Sequence, residues 1–206
     1  MTLHPGPANR CLMSRHATLI ALFVACTALP VATQERPLLP AAAAALPQTK
    51  VEAFLTAHDG LLVKDFYDVG GISGDGRVDV HAVVFTQPGS EAAQVRGLRV
   101  EVTSSEKPAQ IDTSYLDVDE IEALSRGLKY MADLAATWKG LEKQEYTEVD
   151  FSTKDRFRVG FYQRRKDQGA FVSCGAAPAA QAFLDAKDLA ELKLLVDDGL
   201  KMLKGK

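Results

Sequence analysis

A chain of 206 residues with 47% hydrophobic and 25% charged residues has the composition of a globular protein, and the length of one ordinary domain or a pair of small repeats. Its formal net charge is −3. The first 33 residues carry two arginines and no carboxylate, so the remainder holds 22 basic against 27 acidic residues, a net of −5. That balance excludes a general attraction to phosphate backbones or anionic lipid surfaces, so nucleic acid is not an expected partner.

Residues 1–32 are predicted to form an export signal. Arg10, Arg15 and His16 precede an apolar run over 17–32, which is shorter than the roughly 20 residues of a membrane span. Met13 offers a second start. Cleavage reads in two ways. One is an ordinary cut after Ala28 or Ala32. The other is a cut before Cys26, where the sequence FVAC resembles a bacterial lipoprotein box with Phe23 in place of the usual leucine, and Cys26 would then be lipidated. The expected location is periplasmic, envelope-attached or extracellular, with membrane contact only through the signal or a lipid. Residues 33–50 hold Pro37, Pro40, Pro47 and an alanine run, and are predicted to be a tether.

The folded part is predicted over 51–206 as a single α+β domain of antiparallel sheets and two helices. Residues 51–60 read equally as strand or short helix, and 61–70 read as a strand. Asp75-Gly76 is a tight-turn pair. After it Val78, Val80, Ala82 and Val84 share one face of a strand, and Leu98, Val100 and Val102 do so in the next. A fourth strand runs to about Val118. The period then changes: Ile121, Leu124, Leu128, Met131 and Ala135 recur at three or four, predicting a helix over 120–136. A connector containing Trp138 follows. Strands resume near residue 145, with Phe157, Val159 and Phe161 on one face, then 170–175 and a short one at 181–186. A last helix carries Leu189, Leu192, Val196, Leu200 and Leu203 on one side.

The order is four strands and a helix, twice, with halves at about 61–137 and 145–206. It predicts a degenerate duplication of a ββββα unit. This arrangement resembles the duplicated ββββα folds of the Whirly and PUR-type single-strand nucleic-acid binders over residues 61–203, as topology and with no family motif among the residues. The resemblance implies a nucleic-acid-binding module.

Four carboxylates, Asp117, Asp119, Glu120 and Glu122, fall within six positions. Asp119 and Glu122 have capping-box spacing before the first helix, and Asp188 and Glu191 repeat it before the last. The cluster is therefore predicted to cap a helix rather than to bind metal. Asp117 and Asp119 are also the carboxylates that a hydrolase would use. The run 71–79 has the Asp and Gly content of a calcium loop without its spacing, and is read as a hairpin. Tyr162, Arg164, Arg165 and Lys166 set an aromatic beside three cations, the chemistry of a stacking surface with charge at its rim, and form the candidate binding surface; the competing reading is a solvated hairpin tip. Cys174 is predicted to be a buried apolar residue, with Cys11 and Cys26 left in the signal region. No nucleophile, metal or phosphate-loop motif is present, and no cofactor is expected. The leading expectation is an exported, non-enzymatic binding, scaffolding or accessory domain.

Overall fold

The computed structural model describes residues 49–57, 59–89 and 94–205. The predicted signal, Cys11, Cys26 and the tether up to residue 48 lie outside them. A short helix, α1 (Lys50–Ala57), is followed by strands β1 (Val63–Gly74), β2 (Gly76–Thr86), β3 (Gln94–Thr103) and β4 (Ile111–Asp117), then α2 (Val118–Trp138). The second half repeats the order with β5 (Lys143–Ser152), β6 (Arg158–Arg165), β7 (Asp167–Cys174), β8 (Ala180–Leu184) and α3 (Asp188–Lys204). Each set of four strands forms an antiparallel meander in sequence order. The predicted α+β class and the switch from period two to helical period are both present. The segment left open between strand and helix is α1.

The inward positions of both sheets and the two long helices share one apolar core. It runs from Val78, Val80 and Ala82 through Leu124, Leu128 and Met131 to Phe157, Val159 and Phe161. Helix α3 lies on β1, β2 and β3 of the first sheet, whereas α2 touches β3 and β4 and also β5 and β6 of the second. The C-terminal helix thus covers the N-terminal sheet. Glycines permit these contacts: a Cβ on Gly127 would meet the Phe151 ring at 3.1 Å, and one on Gly199 would meet Leu98 at 2.6 Å. The helices are pinned to each other where Ser125 Oγ donates to Asp197 Oδ1 at 2.6 Å.

The two sheets meet where side chains are small. Ala180, Ala182 and Cys174 are fully buried there. The Asp75 turn between β1 and β2 bonds to β8, with Asp75 N–H to the Phe183 carbonyl and Phe183 N–H to the Asp75 carbonyl, each 2.8 Å. Cys174 completes the joint by donating its thiol to the Val100 carbonyl at 3.6 Å, and burial pushes that thiol up to about 12. A maleimide at pH 8 is therefore expected to leave Cys174 unlabelled in the native protein and to label it in denaturant, as read by peptide mapping. Rapid native labelling would refute the buried placement.

Candidate functional site

Two places gather polar side chains. The first is the carboxylate cluster at the start of α2, whose residues the fold puts to structural use. The N-cap is Asp117, the last residue of β4, with Glu120 at the third helical position in capping-box arrangement. The Asp117 N–H donates to Glu120 Oε2 at 3.3 Å. This corrects the expected cap at Asp119 by two residues. Asp-x-x-Glu occurs at both 117–120 and 119–122, and the end of β4, where Asp117 pairs with Gly97, selects the earlier one. At α3 the expected box at Asp188 is absent: the N-cap is Lys187, which makes no side-chain cap bond, and Asp188 is the first helical residue, its Oδ2 accepting the Asp185 N–H at 3.1 Å.

The Asp117 carboxylate is buried and turned toward α1. Its two oxygens accept the Lys50 N–H at 2.9 Å each, and Oδ1 accepts the Val51 N–H at 3.3 Å. An anion at a helix N-terminus meets both the free N–H groups and the positive end of the dipole. Asp119 is exposed and pairs with Lys50 and Lys154, and the Lys50 contact holds it below the usual carboxylate range. Among the described residues no group of three or more His, Cys, Asp or Glu is arranged to hold a metal ion.

Helix α1 also has its own capping box. Glu52 N–H donates to Thr49 Oγ1 at 3.0 Å, and Thr49 N–H donates to Glu52 Oε2 at 3.0 Å. The signal Thr49-x-x-Glu52 stood in the sequence ahead of Ala53, Phe54 and Leu55. Val51 then packs with Val83 and Phe85 on the outer face of the first sheet.

The second place is the hairpin end of the second sheet. Along β6 the alternation buries Val159, Phe161 and Gln163 and turns Arg158, Tyr162 and Arg164 outward. Tyr162 lies over Gly169 of β7, and Phe171 lies over Gly160 of β6. A Cβ on either glycine would collide with the ring, so the glycines let the rings lie along the sheet. Tyr146 stacks on Tyr162 with centroids 6.1 Å apart and planes 26° apart, and its hydroxyl donates to Glu148. That bond pushes the phenol up to about 12. Arg158 is neutralised by Glu148 at 2.6 Å and Asp150 at 2.8 Å.

Beyond these pairs stand Arg164 and Arg165, both exposed. Among the described residues neither has an ion pair. Lys166 is 3.7 Å from Glu142. Between Lys143 and Thr147 the β5–β6 register slips, so Gln144, Glu145 and Tyr146 bow away from β6. The bow opens a recess of about 360 Å³ lined by those three residues with Arg164 and Arg165. Arg165 occupies the first position of a two-residue turn at φ 55°, the left-handed region where glycine or asparagine is usual.

Two glutamine amides, Gln163 buried and Gln168 half-buried, fix this turn. Gln163 Nε2 donates to the Leu141 carbonyl at 2.6 Å and the Arg165 carbonyl at 2.8 Å. Gln168 Nε2 donates to Gln163 Oε1 at 3.0 Å and to the Ala135 carbonyl of α2 at 3.2 Å. The predicted quartet Tyr162, Arg164, Arg165 and Lys166 therefore sits together. Tyr146, Gln163 and Gln168 were missed. The available signal was a glutamine at an inward position, after Val159 and Phe161.

No protein-family model matches the chain, and no curated protein matches it. The site therefore rests on its own chemistry. Two other recesses are larger: one of about 510 Å³ between the β5–β6 turn and the loop after β7, lined by Thr153, Arg156, Phe157 and Ala177, and one of about 400 Å³ between α2 and α3, lined by alanines 132, 135, 136, 186 and 190. Of its rim cations, Lys187 already pairs with Asp185 at 3.1 Å. Among the described residues no helix is long and apolar enough to cross a membrane.

Proposed function

We propose that this chain is an exported, non-enzymatic binding domain that takes an anionic partner at the hairpin end of its second sheet. The observation that carries the reading is the pair Arg164 and Arg165, without an ion pair among the described residues and beside the stacked Tyr146 and Tyr162. Two guanidinium groups offer forked donors to a carboxylate or phosphate, and a tyrosine face accepts a flat ring or sugar. Arg165 strengthens the case because its backbone is strained. A residue held in a sparsely populated conformation points to a role that the strain serves. The export component rests on the basic and then apolar N-terminal segment, and lipidation at Cys26 remains its variant.

A second reading, binding of single-stranded nucleic acid, is favoured by the two tyrosines, which suit base stacking. The same face carries Glu148, Asp150 and Asp167, which would repel a phosphate at every nucleotide step. A partner with a localised negative charge fits better.

The test is fluorescence anisotropy with three labelled probes: an acidic oligosaccharide, an acidic peptide and a pyrimidine-rich single strand, each at 50 and 200 mM salt. At least one of the first two is expected to bind. The double change Arg164→Ala, Arg165→Gly should weaken it about tenfold or more, the loss of one or two charge-assisted pairs. The same double variant should be more stable by about 0.5–1 kcal/mol, because glycine relieves the turn. If no anionic probe binds, or the variant binds as the native protein does, the reading fails. Selective binding of the single strand would establish the second one.

A further inference from the structure

We infer that the recess beside the β5–β6 turn is a second ligand site, which takes a carboxylate carried on a small apolar body and anchors it at the Arg156 guanidinium. Among the described residues, the non-glycine residues with a positive φ are Arg156 and Arg165, at 56° and 55°. Both are arginines, and each lines a recess. They stand at opposite ends of β6, whose 8 residues rise roughly 25 Å, so the two recesses are separate places. At position 156 glycine would hold the turn without strain. A long cation kept there at the cost of strain points to a role for the side chain.

The recess encloses about 510 Å³, within the range of small-molecule sites. Phe157, Ala176, Ala177 and Ala179 make its walls mostly apolar, and Ser173 adds a hydroxyl. Its lining includes two cations. Arg158 is already neutralised by Glu148 and Asp150, and lies over the Phe171 ring at 5.1 Å. Arg156 has no ion pair among the described residues. The neighbouring carboxyl that feels its charge, Asp155, turns Oδ2 to the Tyr115 N–H at 2.6 Å. Lys154, in the same turn, pairs with Asp117 and Asp119. One guanidinium fork matches one carboxylate. A phosphate has more oxygens to satisfy and would set them against apolar walls. The same walls require the rest of the ligand to be apolar.

Both sides of the recess are held by β4 of the first sheet. On the turn side, Ser114 Oγ donates to the Asp155 carbonyl at 2.7 Å. On the loop side, Asp112 Oδ2 accepts the Ala180 N–H at 2.8 Å. The Asp112 carboxylate also packs against Gly175, where a Cβ would stand 2.9 Å from its Cγ. With both sides tied to one strand, the recess is formed before a ligand arrives, and binding requires little ordering of the chain. This inference does not depend on the binding surface at Arg164 and Arg165.

Backbone amide chemical shifts of the full chain test it, titrated with octanoate, N-acetyl-leucine and the neutral amide of each. The amides of Arg156, Phe157, Ser173 and Ala176 should move with at least one acid, at a dissociation constant of about 1 mM or tighter, and its neutral amide should bind about tenfold more weakly. A preference for octanoate assigns the recess to free apolar acids, and a preference for N-acetyl-leucine assigns it to the C-terminal residue of a peptide. Arg156→Gly removes the fork and relieves the turn, so it should weaken binding about tenfold without lowering the melting temperature. Ala176→Trp, at an exposed loop position, should fill the recess and abolish the shifts at Phe157 and Ser173. The inference is overturned if no acid moves these amides at about 10 mM, if the neutral amides bind as tightly as the acids, or if either variant binds as the native protein does. Shifts confined to Gln144, Glu145 and Tyr146 would place the acid in the other recess, and would overturn this inference while leaving the proposed function standing.

Discussion

Asp117→Ala will destabilise the domain by about 3 kcal/mol and lower its melting temperature by about 6–12 °C. The residue is 1% exposed. Its oxygens hold the first two N–H groups of α1, while Lys154 Nζ lies 3.6 Å away. Alanine leaves those donors without a partner in a place closed to water, and each such loss costs about 1–3 kcal/mol. Losing the cap of α2 adds about 1 kcal/mol. Against this, alanine removes the cost of desolvating a carboxylate, which keeps the net near 3 rather than 6. Asp119→Ala gives the contrast. Asp119 is exposed and its two lysine partners are exposed surface cations, so the change should stay within about 0.5 kcal/mol. Denaturant unfolding of the two variants side by side measures the difference. The reverse ranking would put the cap back at Asp119.

The carboxylate cluster also shows where sequence reading succeeds and where it stops. That these acids belong to a helix start is legible, because Ile121, Leu124 and Leu128 announce the helix and Asp-x-x-Glu precedes it. Which acid caps is not legible, because the motif fits twice and the choice is made by the length of β4. The core is legible for a local reason. Val78, Val80 and Ala82 alternate, and all three are buried. Ile121, Leu124, Leu128 and Met131 follow a helical period, and all four are buried. Each pattern is written within a dozen residues.

The joints are not. The Asp117 carboxylate finds α1 across 67 residues, and the turn at Asp75 finds Phe183 in the other half. Nothing in the local sequence of either partner indicates the other. The binding face divides along the same line. Tyr162, Arg164 and Arg165 are adjacent in the chain and could be grouped by eye. Tyr146 joins them where the β5–β6 register slips between Lys143 and Thr147, a feature that no local pattern in β5 announces. Helix α1 is a different case. Its capping box was present as Thr49-x-x-Glu52, but eight residues are too few for periodicity to separate helix from strand.

Gly76→Ala will cost about 3 kcal/mol, lowering the melting temperature by about 6–12 °C, because this glycine lies where the two sheets are joined. Its φ is +106°, which an L side chain rarely adopts. A Cβ there would also stand 2.7 Å from the Thr103 carbonyl oxygen and 2.9 Å from the Ala182 Cβ. Thr103 closes β3 and Ala182 is in the middle of β8, so the added methyl would press the first sheet and the second apart. Neither neighbour is a flexible side chain that could swing away. The two Asp75–Phe183 bonds are one residue distant and would lengthen with any such shift. Gly140 separates strain from crowding. It also has a positive φ, +79°, but a Cβ on it would meet nothing within 4 Å. Gly140→Ala should therefore cost only the backbone term, about 1 kcal/mol. Thermal unfolding of both variants gives the comparison. A loss at Gly76 no greater than the loss at Gly140 would mean that the close approach of β8 contributes nothing, and that the sheets are held together by the shared apolar core alone.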